Sequence, residues 1–421
     1  MWKGSQEVRI GRLAITGGDR IRKKPFPPWP QFDDRELNAV AQVLTSGNWG
    51  GQPFPNTKAK EFGEHFAAFQ DARFGICVVN GTAALEVALR AAGIEAGDEV
   101  VMPAYTWVAT ALAVVYLNAI PVFADIDPDT YCIDPDALAS AVTDCTRAVI
   151  PVHLAMCIAD MDRIGQIAEQ HGLTVIEDCA HMHGGRWRDK GVGSIGDMGC
   201  FSFQSSKVIT SGEGGIILTN RAELAQRCQS LVNVGHKEPG YDSFDGWMLG
   251  WNYRLPEFEA AVLLAQLERL DDQTRLREEN ATYLSQRLEE IGGVRPLVRD
   301  PRATRLAYYR YLFRYNSEEF EGLHRGRFIE ALEAEGIPCE SFYLPVHRSP
   351  LFALKASQYP ETRRRYGEEY VPEQVSCPVT ERAAYREAVC LHHPMLLGTK
   401  RDMDDIADAI IKIKTNVHEL L

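Results

Sequence analysis

The sequence lacks long apolar runs. No stretch among its 421 residues reaches the roughly 18 apolar residues needed to span a bilayer. Residues 1–24 also contain no apolar run of the kind that signal peptides carry. We therefore expect a cytoplasmic protein with no membrane partner.

The sequence also has fewer positively charged than negatively charged residues. The chain has 45 lysines and arginines against 58 aspartates and glutamates, and its formal net charge is −13. A nucleic-acid-binding surface normally needs a basic patch, so we expect no nucleic-acid partner. The hydrophobic fraction of 45% and the charged fraction of 24% are those of an ordinary globular protein.

Closely paired cysteines are missing. The chain has ten cysteines, but no two of them stand in a CxxC spacing. The absence of a CxxC pair argues against a zinc cluster or a thioredoxin-like site. We expect no metal site, and we interpret the cysteines as small buried hydrophobic residues in a reducing compartment.

Helical and strand-like patterns alternate over the middle of the chain. Residues 82–92 carry apolar side chains at helical spacing and end at Gly93. Short apolar, β-branched runs occupy 99–102, 120–123, 148–152 and 174–177, and a helical pattern covers 161–170. Such alternation predicts βαβ units and an α/β fold with a mostly parallel sheet.

The two ends of the chain have other patterns. The run 25–30, rich in proline, cannot form a helix, so residues 1–30 are predicted to form an extended arm. Pro256 opens a helical pattern that continues to about Glu290, and its length predicts a bend or a break. We therefore expect a large domain at 31–275 and a smaller α+β domain at 276–421.

Three loops carry residues suited to chemistry, and ligands of parallel sheets bind where such loops meet. Thr82 could cap a helix and bind a phosphate with its hydroxyl, Asp178 follows an apolar strand, and Lys207 precedes a glycine-rich turn. Taken alone, each has an ordinary interpretation as a helix cap, a turn or a surface charge.

In combination the loops describe one cofactor. Trp107 could stack on a flat ring, Ser202 could reach a phosphate, and Asp178 could keep a pyridine nitrogen protonated. Lys207, if desolvated, could act as an amine nucleophile. Together these roles indicate pyridoxal 5′-phosphate (PLP).

Several segments carry a family resemblance: Asn80-Gly81-Thr82-Ala83-Ala84-Leu85, Gly97-Asp98-Glu99-Val100, Pro103-Ala104-Tyr105-Thr106-Trp107, Glu177-Asp178-Cys179-Ala180-His181, Phe201-Ser202-Phe203 up to Lys207, Gly212-Glu213-Gly214-Gly215 and Asn252-Tyr253-Arg254. From about residue 8 to 415 the chain resembles the DegT/DnrJ/StrS family of PLP-dependent sugar aminotransferases. The resemblance implies the fold of type I PLP-dependent transferases, which is that of aspartate aminotransferase.

The resemblance also implies roles for individual residues. Lys207 would form the Schiff base and move the substrate proton, while Asp178 would hold the pyridine nitrogen. The remaining cofactor contacts would come from Trp107 on the ring, His181 near its 3-hydroxyl, and Gly81, Thr82 and Ser202 on the phosphate. Asn252 would reach the phosphate of a neighbouring subunit, which implies a homodimer with shared sites.

Further segments carry a finer resemblance: Pro27-Pro28-Trp29-Pro30, Pro151-Val152-His153-Leu154 and His392-His393-Pro394-Met395-Leu396-Leu397-Gly398. Through them the chain looks most similar, within the family, to the cyclitol branch, typified by 2-deoxy-scyllo-inosose and scyllo-inosose aminotransferases. This branch implies transfer of an amino group from L-glutamine or L-glutamate to a keto-cyclitol or keto-sugar, in aminoglycoside or aminosugar biosynthesis. Arg254 could bind the donor carboxylate or form a structural ion pair. The candidate contacts to the acceptor are His153, Tyr343, His347, His392 and His393.

Other functions stay open. An aminohydroxybenzoate synthase-like reaction would use PLP for dehydration and aromatisation, and a non-catalytic regulator could share the same fold. A sugar 3-dehydratase is disfavoured because those relatives replace the lysine with histidine, whereas Lys207 is present. Relatives usually carry a glycine after the His153-Leu154 pair, whereas this chain continues into Met156-Cys157-Ile158, and the difference leaves the substrate open.

Overall fold

The computed structural model describes residues 11–51, 56–352 and 354–421. The helices are α1 Asp34–Ser46, α2 Thr57–Phe69, α3 Gly81–Ala91, α4 Ala109–Val115, α5 Pro135–Ala141, α6 Met161–His171, α7 Ala222–Val232, α8 Glu257–Ile291, α9 Arg325–Ala334, α10 Arg363–Tyr366, α11 Pro378–Arg382 and α12 Lys400–Thr415. The strands are β1 Phe74–Val78, β2 Glu99–Pro103, β3 Ile120–Ala124, β4 Thr146–Val149, β5 Thr174–Asp178, β6 Arg186–Trp187, β7 Lys190–Gly191, β8 Met198–Ser202, β9 Gly215–Thr219, β10 Val294–Pro296, β11 Ala303–Arg305, β12 Arg310–Tyr315, β13 Cys339–Ser341 and β14 Ala388–His392.

A seven-stranded sheet forms the centre, in the order β1-β9-β8-β5-β4-β2-β3. The pairs from β3 through β2, β4 and β5 to β8 are parallel, whereas β9 runs antiparallel to both of its neighbours. Every residue of β2, β3, β8 and β9 is buried, as expected for strands covered on both faces. The predicted α/β fold with a mostly parallel sheet is confirmed, although β4 begins and ends earlier than the predicted run 148–152.

A second, four-stranded antiparallel sheet follows in the chain, in the order β10-β12-β14-β13. The long helix α8 precedes it and packs against α1 and α2 at one end and against β10 and α12 at the other. Of the predicted bend or break, the break is wrong, because α8 continues without interruption over 35 residues, and the bend stays a prediction. Buried side chains such as Leu263, Leu270 and Leu284 occur along its length, so packing supports it throughout.

The chain returns to the large sheet after β13. The N–H of Val346 donates to the carbonyl of Ala104, and the backbone N–H of Thr380 donates to the carboxylate of Asp125. Phe352 and Tyr370 are buried in the core beside the large sheet. The domain bounds 31–275 and 276–421 stay a prediction, since part of the second range packs with the first.

The described part of the predicted arm, residues 11–30, lies on its own chain. Leu13 is fully buried, and the guanidinium of Arg22 forms ion pairs with Asp402 at 2.6 Å and Asp405 at 2.9 Å. The indole N–H of Trp29 donates to the carbonyl of Ser205 at 3.0 Å. These contacts place the end of the arm beside the loop that carries Lys207, while residues 1–10 lie outside the described residues.

Within the described residues, no helix has both the length and the apolar composition to cross a membrane.

Candidate active site

A cavity of about 690 Å³ opens where the carboxyl ends of the large sheet face the second sheet. Asp178 and Ser202, the last residues of β5 and β8, line it together with the start of α3. Of the predicted cofactor residues, the cavity brings together Gly81, Thr82, Trp107, Asp178, His181, Ser202 and Lys207.

The start of α3 forms one wall of the cavity. Asn80 is the N-cap, and its side chain accepts the N–H of Ala83 at 2.8 Å. The prediction that Thr82 caps this helix is wrong, because Thr82 lies within the first turn. No described residue accepts the N–H groups of Gly81 and Thr82. A Cβ at position 81 would lie 2.7 Å from the Cβ of Ser202, so only glycine lets these backbone donors sit beside that hydroxyl.

Asp178 lies in the floor of the cavity. One carboxylate oxygen accepts the hydroxyl of Thr110 at 2.9 Å, and the other accepts the N–H of Ala180 at 3.2 Å. Burial raises the pKa of Asp178, while these hydrogen bonds and the charge of Lys207 act in the opposite direction. A cationic partner in the cavity would therefore stabilise this carboxylate.

Lys207 is buried and extends into the cavity from the turn after β8. Its ammonium nitrogen lies 4.2 Å from the ring centroid of Tyr309. Burial lowers the pKa of Lys207 to about 7, with the charge of Asp178 opposing the shift and that of Arg310 adding to it. At neutral pH, Lys207 is therefore a neutral amine in a substantial fraction of the molecules.

A cluster of rings covers the cavity. His181 stacks on Tyr309 at 4.3 Å between centroids, and Trp107 contacts Tyr343 at 5.6 Å. Burial and the charge of Lys207 hold the pKa of His181 well below its usual value. Its Nδ1 accepts the N–H of Ala155, so the proton of the neutral ring is on Nε2, which faces the hydroxyl of Tyr343 at 3.2 Å.

Two of the histidines predicted to bind the acceptor lie elsewhere. His153 is fully buried behind the sheet, where Nε2 contacts Glu177 at 2.9 Å and Nδ1 accepts the N–H of Ala159. His347 is also fully buried and contacts Glu381 at 3.2 Å. Internal partners occupy both residues and neither lines the cavity of this chain, so their predicted contact with the acceptor stays a prediction that this geometry does not support.

His392 and His393 lie next to the cavity but do not line it. His393 is buried, contacts the carbonyl of Ser206 at 3.1 Å, and packs edge-on against Trp29. His392 is part-exposed and lies 3.3 Å from Glu340, which does line the cavity. Of the predicted acceptor contacts, the structure places only Tyr343 in the cavity wall.

Asn252 and Arg254 lie away from this cavity. Asn252 forms an isolated β-bridge with Asn233, and the guanidinium of Arg254 donates to the side chain of Asn233 at 2.9 Å. Arg254 lines a separate cavity of about 310 Å³. The role of Asn252 toward a neighbouring subunit stays a prediction.

Sequence reasoning missed several residues of the cavity wall. Thr110 stands one helical turn after Trp107 and so faces the same side, which was a usable signal. Tyr309, Arg310 and Glu340 come from the second sheet, and nothing in the local pattern showed that this sheet would face the first.

The segment 155–158, which contains Met156, Cys157 and Ile158, belongs to the core. Ala155 has a φ of +57°, in the left-handed region that favours glycine. Met156, Cys157 and Ile158 are all buried in the core and do not line the cavity. Their side chains therefore give no direct contact to a ligand there.

Comparison with known proteins identifies the group to which this chain is similar. A protein of Streptoalloteichus tenebrarius, named provisionally as an L-glutamine:3-amino-2,3-dideoxy-scyllo-inosose aminotransferase, is 49% identical over 97% of this chain and 99% of its own length. A second protein of that organism, the L-glutamine:2-deoxy-scyllo-inosose aminotransferase, is 42% identical over 97% of this chain and 99% of its own.

Solved structures agree with these relatives. The crystal structure of 3-amino-5-hydroxybenzoic acid synthase superposes with a TM-score of 0.80 at 34% identity, covering 94% of this chain and 100% of that one. The sequence profile of the DegT/DnrJ/EryC1/StrS aminotransferase family matches residues 30–410. The chain therefore belongs to the DegT/DnrJ/EryC1/StrS aminotransferase family.

Proposed function

We propose that this protein uses PLP to transfer an amino group from L-glutamine to a keto-cyclitol of the scyllo-inosose type. One observation carries the proposal: a buried lysine, a buried carboxylate and the free N–H groups of a helix start line a single cavity. L-Glutamate is the alternative donor. The biosynthesis of an aminoglycoside or a related aminosugar is the setting that we infer.

The cavity fits PLP on the chemistry of its donors. The N–H groups of Gly81 and Thr82 and the hydroxyl of Ser202 form a site for a phosphate at a helix start. Asp178, whose pKa burial raises, needs a cationic partner such as a protonated pyridine nitrogen. Trp107 supplies an exposed ring at the cavity wall.

PLP, when bound, supplies an electron sink that stabilises negative charge at the carbon bearing the amino group. Lys207 would hold the cofactor covalently and then, once displaced, carry the proton at its Nζ to and from that carbon. A pKa of about 7 suits both tasks, because the lysine then accepts and donates a proton with similar ease at neutral pH.

The residues around Lys207 orient the reaction. Thr110 and the backbone of Ala180 fix the carboxylate of Asp178. His181, held neutral, keeps its Nε2 proton directed at Tyr343. The ring of Tyr309 packs against Nζ of Lys207 and restricts the access of water to it.

The nature of the acceptor rests on the names of the relatives and on the polarity of the cavity. Both relatives described above act, by their names, on ketones of the scyllo-inosose type. A polyhydroxylated ring needs hydrogen-bond partners on several sides, and Gln204, Ser206, Glu213 and Glu340 line the cavity. A homodimer is part of the proposal, because Asn252 lies outside the cavity of its own chain. The cytoplasmic location stays a prediction from the sequence.

The test is a spectrum of the purified protein before and after addition of L-glutamine, followed by mass spectrometry of the product formed from 2-deoxy-scyllo-inosose. We expect visible absorbance that L-glutamine abolishes, and then an aminated cyclitol. Lys207→Ala should abolish both results, whereas Lys60→Ala, at an exposed position on α2, should preserve them. A wild-type protein without visible absorbance after incubation with PLP would refute the proposal.

A second candidate function is favoured by one comparison, the 34% identity to 3-amino-5-hydroxybenzoic acid synthase. Such a synthase would release water from an aminated cyclohexene carboxylate and form an aromatic ring. This candidate would be favoured over amino transfer by two results together: visible absorbance that neither glutamine nor glutamate changes, and an aromatic product that absorbs in the ultraviolet.

A further inference from the structure

Three polar side chains cross the second sheet beside the cavity. Arg310 begins β12 and pairs in register with His392, the last residue of β14. Glu340 lies on the next strand, β13, within 3.3 Å of His392. Arg310 and Glu340 line the cavity, so this edge of the sheet presents a cation and an anion to any ligand.

Arg310 lines the cavity and, unlike Arg302 and Arg305 earlier in the chain, has no acidic partner among the described residues. Arg302 and Arg305 both form ion pairs with aspartates at 3.1 Å or closer. Within the described ranges, no carboxylate lies within ion-pair distance of Arg310. Its guanidinium carbon instead lies 4.5 Å from the ring centroid of Tyr309. The residue is half-buried, and a guanidinium in such a place is strongly stabilised by a carboxylate.

The position of Arg310 relative to Lys207 limits what this carboxylate can belong to. Lys207 Nζ lies 4.2 Å from the same ring centroid, so the separation of Nζ and the guanidinium carbon cannot exceed the sum of the two distances. In an α-amino acid the nitrogen and the carboxylate carbon are about 2.5 Å apart by standard bond lengths. When the guanidinium donates hydrogen bonds of about 2.8 Å to both carboxylate oxygens, the amino nitrogen and the guanidinium carbon are closer together than this sum.

We propose that Arg310 binds the α-carboxylate of the amino donor while the donor's nitrogen occupies the position next to Lys207. The inference rests on the proposed function and adds to it the residue that selects an amino acid over a simple amine. Arg254, the arginine that the sequence suggested for this task, donates to Asn233 and lines a different cavity.

The experiment is a calorimetric titration of the holoenzyme with two donor analogues. The first, 2-methyl-L-glutamine, keeps the carboxylate but has no α-hydrogen to remove, so binding is measured without turnover. The second, 4-aminobutanamide, lacks the carboxylate. We expect Arg310→Met to raise the Kd of the first analogue about 10- to 100-fold, in line with the loss of a charge-assisted pair. The Kd of the second analogue should be unchanged.

Two further variants provide controls. Arg310→Lys keeps the charge but not the paired donors, and should recover part of the lost affinity. Arg147→Met, at a surface position whose side chain is 54% exposed, should bind both analogues as the wild type does.

Three results would overturn the inference. One is an unchanged Kd of 2-methyl-L-glutamine in Arg310→Met, and a second is a wild type that binds both analogues equally. The third is a loss of affinity in Arg254→Met with none in Arg310→Met. If binding depends on Arg310 but no keto-cyclitol is aminated, the inference stands and the proposed function fails.

Discussion

At the scale of single residues, the chemistry of the cavity depends on burial. Lys207, Asp178 and His181 are all buried, and burial is the largest cause of each pKa shift. In each case the shift favours the neutral form. The result is an amine, a carboxyl group and an imidazole whose protonation responds to any charged ligand that enters.

Lys207 gives a direct test of this effect. In the cofactor-free protein, reaction of its amine with acetic anhydride should rise with pH around a midpoint near 7, because only the unprotonated amine reacts. Peptide mass spectrometry after competitive labelling measures the midpoint, with the exposed Lys60 as an internal reference. A midpoint near the ordinary lysine value of about 10.4 would contradict the assignment.

At the scale of elements, the sequence predicts the structure best where the physics is local. Gly172, at a φ of +64°, ends α6 just after the helical pattern predicted at 161–170, and α3 forms where the helical pattern of 82–92 predicts it, although its cap is Asn80 and not Thr82. The unbroken course of α8 could not be predicted in this way, because it depends on packing against α1 and α2 at one end and against β10 and α12 at the other. The burial of His153 and His347 depends on their acidic partners, Glu177 and Glu381, which only the fold brings close.

The loop between Val152 and α6 carries a local strain that can be measured. Ala155 and Ala159 are both fully buried, and each donates its N–H to a histidine ring nitrogen. Of the two, only Ala155 has a positive φ. Replacement by glycine removes a buried methyl group at both sites. Only at position 155 does it also remove the strain of a left-handed backbone, which costs a non-glycine residue about 1–2 kcal/mol.

We therefore expect the free energy of unfolding to decrease by about 1–2 kcal/mol less in Ala155→Gly than in Ala159→Gly. Guanidinium denaturation of the two cofactor-free variants measures the difference. Equal losses at both sites would show that the backbone of Ala155 carries no strain.

At the scale of the whole molecule, apolar side chains lie exposed near Asn252. Trp247 is 74% exposed, Leu249 is 83% exposed and Trp251 is 50% exposed. Contiguous exposed apolar surface is typical of a protein interface. A second copy covering this surface would bring Asn252 toward the partner's cavity, as the family resemblance implies. Neither the sequence nor a single chain supplies that geometry, because it depends on how two copies pair.

The expected outcome is a dimer in sedimentation velocity, with twice the chain mass of 47.1 kDa. Leu249→Asp places a charge in the proposed interface, where leaving it buried and unpaired is costly. We expect this variant to sediment as a monomer and to lose PLP on gel filtration, because Asn252 would no longer reach the partner's phosphate. Val298→Asp, at a position 49% exposed on the second sheet's side, should stay dimeric and retain PLP. If the Leu249→Asp monomer binds PLP as tightly as the wild type, each cavity binds the cofactor without the partner subunit. The proposal of shared sites would then be wrong, even though the wild type is a dimer.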